Sequence, residues 1–267
     1  MILIVGATGY LGNATARRLL AAGEPVRAMT RTPAKARDLQ ALGAEVVVGD
    51  LRDEASLRRA CAGADRVFAA AHALMGRGKE SSKYVDDIGH KRLIDSAKAA
   101  GVQHFVYTSA YGASAKSPVL FARIKADVEE YLKGSGLSYT ILQPTAFFEW
   151  HAHEFIGKPL LEKGKVSLLG PGKNPINLVA TDDVAQFAVI ALSDPKAMGQ
   201  TIKIGGHDNL SRMEIVRLYE KVSGRQAKVT KMPLAMLRIM SPLLKPFHPG
   251  LSQVLCDVSK AIGDQAE

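Results

Sequence analysis

The chain has 267 residues, 47% of them hydrophobic and 23% charged. That ordinary globular composition excludes whole-chain disorder and gives room for one large α/β domain or two small ones. The formal charge is +9, and residues 212–248 hold eight basic side chains against Glu214 and Glu220; with no aromatic interleaving or dense basic run, this reads as a solvated face, and nucleic-acid binding is not expected.

Apolar segments are all too short to span a bilayer; the longest, around 184–192, is broken by Gln186. The first strand begins at Ile2, which leaves no place for a basic leader, and Cys61 and Cys256 fit no metal or redox spacing. The expected location is therefore the cytoplasm, with both thiols reduced and structural.

Ile2-Leu3-Ile4-Val5, bounded by Gly6, has the pattern of a buried parallel strand. Gly6-Ala7-Thr8-Gly9-Tyr10-Leu11-Gly12 follows, and residues 15–20 carry apolar side chains at helical spacing. Gly23 ends that helix, 25–29 is a short second strand, and Pro33 suits the first position of a helix over 34–42. Strand 45–48 runs into Gly49-Asp50-Leu51. Helix 54–60, strand 66–71, helix 84–100 and strand 103–107 come next. Helix 119–133 and strand 138–142, stopped by Pro144, complete the series. Six alternations of strand and helix with short connections predict a doubly wound, mainly parallel sheet of the Rossmann type.

Beyond Thr145 the rhythm loosens. The pattern predicts a helix over 147–156, short strands at 166–168 and 177–179, and a helix over 181–192 capped by Thr181. A returning strand at 201–204 and a helix opened by the capping box Ser211-Arg212-Met213-Glu214 follow. Residues 232–247 are apolar but interrupted by Pro233, Pro242 and Pro246, and read as a lid. The chain is thus expected to be a single domain. Its Rossmann core is about 1–145 plus 181–205, and a small C-terminal substrate lobe is built from about 146–180 and 206–267.

A glycine pattern wedged between a first strand and a first helix points backbone N–H groups at one spot, which suits a pyrophosphate. The residue closing the second strand selects the nucleotide. An acidic residue there bonds the 2′-OH of NAD, but here the strand ends Met29-Thr30-Arg31, and a guanidinium embraces a 2′-phosphate. NADP(H) is therefore preferred over NAD(H). The expected cofactor-binding residues in this half of the chain are Gly6, Thr8, Gly9, Tyr10, Leu11, Gly12, Thr30, Arg31, Asp50, Leu51, Ala70 and Ala71. Asp50 and Leu51 would flank the adenine.

With these residues identified, the chain resembles the NmrA-like, atypical short-chain dehydrogenase/reductase family. The likeness is carried by Gly6-x-x-Gly9-x-x-Gly12, Thr30-Arg31, Gly49-Asp50-Leu51, Thr108-Ser109, Lys125, Pro144-Thr145 and Thr181-Asp182-Asp183-Val184-Ala185. The resemblance implies an extended Rossmann domain, NADP(H) binding and a variable C-terminal part that sets the ligand, and it adds Lys125, Pro144 and Thr145 to the expected cofactor-binding residues. Catalytically complete members of the wider superfamily use Tyr-x-x-x-Lys on the fifth helix and a Ser at the preceding strand end. Residues four apart share a helix face, so the lysine lowers the phenol's pKa while holding the nicotinamide ribose. Here Lys125 and Ser109 are the candidate catalytic residues, but the tyrosine position is Phe121.

A phenyl ring carries no exchangeable proton, so alcohol–ketone chemistry of the usual kind is not expected. A quinone or an activated double bond accepts hydride to give a stabilised anion that water protonates, and some family members are reductases of this type. Tyr111, Phe147, Phe148 and Trp150 are the candidate substrate residues. The resulting expectation is an NADPH-dependent oxidoreductase acting on a small hydrophobic acceptor. The alternative is a non-catalytic NADP(H) sensor, regulator or assembly factor with a protein partner. His151-Ala152-His153 does not read as a metal site, because residues two apart do not share a helix face.

Overall fold

The structure is a computed structural model that describes residues 1–263. It forms two compact units, 1–117 with 121–143 and 181–203, and 118–120 with 144–180 and the described residues from 204 onward. The first unit begins with β1 (Ile2–Val5), α1 (Tyr10–Ala21) and β2 (Val26–Thr30). A 3₁₀ turn and α2 (Arg37–Ala41), β3 (Glu45–Val48), α3 (Glu54–Cys61) and β4 (Arg66–Ala69) follow. A π-helical turn Lys83–Gly89 runs into α4 (His90–Ala99), then come β5 (His104–Thr108), α5 (Leu120–Gly134) and β6 (Tyr139–Pro144).

The second unit opens with β7 (Ala146–Phe147), a π-helix Glu149–Gly157, α6 (Lys158–Lys163), β8 (Lys165–Leu169) and β9 (Pro175–Val179). The chain then returns to the first unit as α7 (Thr181–Ser193) and β10 (Gln200–Ile204). It ends in the second unit with β11 (Asn209–Ser211), α8 (Arg212–Ser223), β12 (Lys228–Met232), α9 (Leu234–Leu244) and α10 (Pro249–Gly263).

Seven strands form one sheet in the order β10-β6-β5-β4-β1-β2-β3. The neighbours from β3 to β6 are parallel. Gly199 N–H bonds to Tyr139 O at one end of β10 and Thr145 N–H to Ile204 O at the other, so β10 runs in the same sense as β6. This is the expected doubly wound α/β Rossmann sheet. Every side chain of β1 is buried, as a central strand covered by helices on both faces requires. The order reverses between β1 and β4, which opens a crevice at the carboxyl ends of these two strands. Leu3, Val5, Leu57, Leu93, Ile94, Phe105 and Ile141 are fully buried in one cluster behind that crevice.

The second unit has its own small core of Ala152, Ile156, Leu160, Val166, Leu168, Ile215 and Val216. Two expectations are corrected here. Residues 147–156 are not one helix: Phe147 is held as a strand by pairing with Val179, and the helix starts after it in π form. Gly157 is packed so tightly on Tyr219 that a Cβ would lie 2.3 Å from its ring. Residues 232–247 are not broken by all three prolines. Pro233 precedes α9, and Pro242 lies inside it near its carboxyl end, where it removes one backbone bond without ending the helix. Among the described residues no helix is long and apolar enough to cross a membrane.

Candidate functional site

The turn after β1 is built by close approach. Gly6 has φ +89° and passes so near the chain after β4 that a Cβ would lie 2.8 Å from Ala71 N. A Cβ on Gly12 would lie 2.2 Å from Gly6 O, so only glycine lets α1 start against the turn. Gly9 is different: a Cβ there meets nothing closer than 3.4 Å. The fold itself does not demand that glycine, which fits a position kept bare for a ligand. Gly9 is also the N-cap of α1 and brings no side-chain acceptor to its first turn. The N-terminal amides and the positive end of α1 therefore lie at the crevice, as a pyrophosphate requires. Thr8 and Tyr10 are exposed beside it, whereas Leu11 is buried.

The ends of β2 and β3 carry a charged cluster. Thr30 is buried, and its hydroxyl accepts from Thr32 N–H, tying the turn that presents Arg31. Arg31 is more than half exposed and pairs with Glu80 at 3.2 Å. Asp50 is held by Arg52 through two guanidinium nitrogens, at 2.9 and 2.6 Å, and through the Arg52 backbone N–H. The Arg52 hydrogen bond is the main reason the Asp50 carboxyl lies below the ordinary carboxylate range; Arg31 adds to it. Leu51 is not at the surface but packed in the main core, against Gly89.

A buried polar cluster stands where β5 meets α5. Lys125 is 2% exposed, and Asp127, two residues on, pairs with Lys91. Its ammonium donates to Thr108 O at 2.9 Å and sits over the rings of Tyr107 and Phe121, at 4.7 and 5.3 Å. Burial lowers its pKa, while the charges of Asp86 and Glu129 oppose that shift. An ammonium has three donors, and among the described residues this one has a single hydrogen-bond acceptor, which leaves donors for ribose hydroxyls. Ser109 is also buried, and its hydroxyl donates to Glu129, which accepts from Gln143 as well, at 2.8 Å. The serine of the family pattern thus has its proton engaged by a carboxylate.

Asp86, His90 and Gln143 escaped the sequence reading, and so did the role of Glu129 at this site. Glu129 alone carried a signal, since it lies four residues after Lys125 on the same helical face. Asp86 is fully buried and accepts from Ala73 N–H with both oxygens, at 3.1 and 3.2 Å, so it fixes the chain leaving Ala70 and Ala71. His90 is fully buried and its Nδ1 bonds Val85 O. Burial first, then the Lys125 charge, brings its pKa down to about 4.

The remaining candidates divide between the units. Tyr111 lies in the first, 58% exposed, with Lys203 Nζ 5.9 Å above its ring. Pro144, Thr145, Phe147, Phe148 and Trp150 lie in the second. The Thr145 hydroxyl bonds the Asn177 side chain at 3.0 Å. Trp150 packs on Phe155 at 5.8 Å, and Phe148 is 42% exposed. A cavity of about 200 Å³ in this unit is lined by Gly170, Pro171 and residues 231–234, without these aromatics. Among the described residues no cluster of His, Cys, Asp or Glu is arranged to hold a metal ion.

The profile of the NmrA-like family matches residues 1–264. A photosystem II assembly factor of Guillardia theta is 34% identical over 88% of this chain and 74% of its own length. An NAD(P)H azoreductase of Xenophilus azovorans is 33% identical over 88% of this chain and 78% of its own length. An NADPH-dependent quinone oxidoreductase of Escherichia coli, solved with NADPH, superposes with a TM-score of 0.78 at 28% identity, covering 97% of this chain and 88% of that one.

Proposed function

Because the chain belongs to the NmrA-like family, we propose that it is an NADPH-dependent oxidoreductase that reduces a small hydrophobic acceptor, quinone-like or with an activated double bond. The observation that carries this reading is the glycine turn and its bare Gly9, in one unit with a buried lysine that has donors to spare. NADPH, when bound, supplies the hydride. The amides at the start of α1 hold the pyrophosphate, Arg31 takes the 2′-phosphate, and Lys125 holds the nicotinamide ribose. The charges of Asp86 and Glu129 oppose the lowering of the Lys125 pKa that burial causes. Neither Phe121 nor the engaged Ser109 hydroxyl is free to donate a proton, so water completes the protonation of the product. An azoreductase and a quinone oxidoreductase among the relatives support acceptors of this kind. Two free cysteines suit a reducing compartment such as the cytoplasm.

The test is NADPH oxidation across a panel of quinones, enones and azo compounds, with wild type and Lys125→Ala side by side. Turnover of at least one acceptor is expected, with KM for NADPH raised about tenfold in the variant through loss of charged hydrogen bonds. Tight NADPH binding with no turnover anywhere in the panel would instead support a second reading, favoured by Phe121 and the engaged Ser109. In that reading the chain is a nucleotide sensor or assembly factor with a protein partner, the class named for the relative from Guillardia theta.

A further inference from the structure

The charged cluster at the ends of β2 and β3 contains a group that the cofactor reading does not use. Glu80 lies on the loop leaving β4, far in sequence from Arg31 and Arg52, yet its Oε1 is 3.2 Å from Arg31 and 3.6 Å from Arg52. The loop is built to bring it there. Its base is fixed by Asp86, which accepts from Ala73 N–H. Gly76 N–H then bonds Ala73 O, and the loop closes so tightly that a Cβ on Gly76 would lie 1.7 Å from Glu80 O. A 3₁₀ turn, Gly78–Glu80, follows.

Counted by charge, the cluster is balanced. Asp50 neutralises Arg52 through the two-nitrogen contact, and Glu80 neutralises Arg31. A planar guanidinium offers the same fork to a carboxylate as to a phosphate. Glu80 therefore sits between the two arginines, bonded to Arg31 and 3.6 Å from Arg52, and a dianionic phosphate arriving with Glu80 in place meets a carboxylate rather than an open cation. A 2′-hydroxyl meets no such conflict, since a carboxylate is a good acceptor for it.

We propose that Glu80 sets the strength of this chain's preference for a 2′-phosphorylated dinucleotide, by occupying Arg31 and Arg52 until the 2′-phosphate displaces it. The inference rests on the NADP(H) reading of Arg31. It makes discrimination between NADPH and NADH a property of three side chains rather than of Arg31 alone, with Arg52 as the second phosphate-facing cation.

The experiment compares wild type, Glu80→Gln and Arg31→Ala, titrating each with NADPH and with NADH by fluorescence of the bound nicotinamide. Glu80→Gln keeps the shape and removes the charge. It is expected to tighten NADPH about three- to fivefold, in the range of an exposed ion pair, and to leave NADH unchanged or weaker. The gain should shrink in 0.5 M salt, as screening requires. Arg31→Ala is expected to weaken NADPH and spare NADH. If Glu80→Gln leaves NADPH affinity unchanged, lowers it, or tightens NADH equally, the role of Glu80 is overturned while Arg31 keeps its own. If wild type binds no NADPH, or Arg31→Ala does not weaken it, the cofactor reading itself fails and this inference falls with it.

Discussion

The three glycines of the first turn do different work, and that difference can be measured. Gly12 is excluded from any larger residue by the fold, since its Cβ would sit 2.2 Å from Gly6 O. Gly12→Ala should therefore lower unfolding stability by about 2–3 kcal/mol, the range of overpacking in a tight site, and denaturant titration will show it without any ligand. Gly9→Ala meets only a 3.4 Å contact and should fold normally, with its cost confined to nucleotide affinity. A large stability loss in Gly9→Ala would contradict the assignment of that position to the ligand. Lys125 makes the complementary point. Its place on the fifth helix was legible from the resemblance to the family pattern, but its burial was not, because Tyr107 on β5 packs against it together with Phe121 of its own helix.

At the scale of elements, most of the chain was readable because each element carried its own local signal. β1 is an apolar run, α5 an amphipathic period, and α8 a capping box. In α8 the Ser211 hydroxyl accepts from Glu214 N–H at 3.2 Å, and the Glu214 carboxylate accepts from Ser211 N–H at 2.7 Å. Ser211→Ala should cost about 1 kcal/mol, typical of a lost N-cap, seen as a lower urea midpoint with an unchanged slope. Elements made by partners were the ones missed. β7 exists because Phe147 pairs with Val179, and β12 because its whole length pairs with β8 from Lys165 to Leu169. The sequence of β12, Lys228 to Met232, alternates charge and apolar weakly, so no local pattern announces it. α5 shows the same limit. Phe121, Lys125 and Glu129 fall on one face by period alone, but the carboxylate's choice of Ser109 and Gln143 as partners depends on β5 and β6 lying alongside.

Across the whole molecule, buried histidine sets a pH dependence. His90 is fully buried with its pKa lowered to about 4 from 6.5. The unfolded chain therefore binds a proton there between pH 6.5 and 4 that the folded chain refuses. Stability is complete above pH 6.5 and falls as the pH drops toward 4. From the two pKa values, the His90 share of the loss is about 2 kcal/mol at pH 5. Urea unfolding at pH 8 and pH 5 should show the wild type weaker in acid and His90→Gln with a smaller difference between the two. His151, also brought down to about 4 by burial and the Arg212 charge, contributes in the same direction and remains in the variant. An equal pH difference in both proteins would remove His90 from the explanation.

The amino-acid sequence by itself determined the fold class and the site of the first turn, because both rest on local rules. A strand needs apolar side chains on both faces, a helix needs its period, and a tight turn needs glycine. It also supplied Arg31, whose offset from the turn follows from the length of one helix and one strand. The tertiary structure alone decided what surrounds these groups. Asp86 and His90 come from the helical stretch before β5, Glu129 from α5 with Lys125, and Gln143 from β6, and they gather around Lys125 and Ser109 only when parallel strands align their ends. Glu80 reaches Arg31 through a loop whose path is fixed by Asp86 and Gly76. Charge balance and burial depend on such meetings of distant segments, and no periodicity along the chain encodes them.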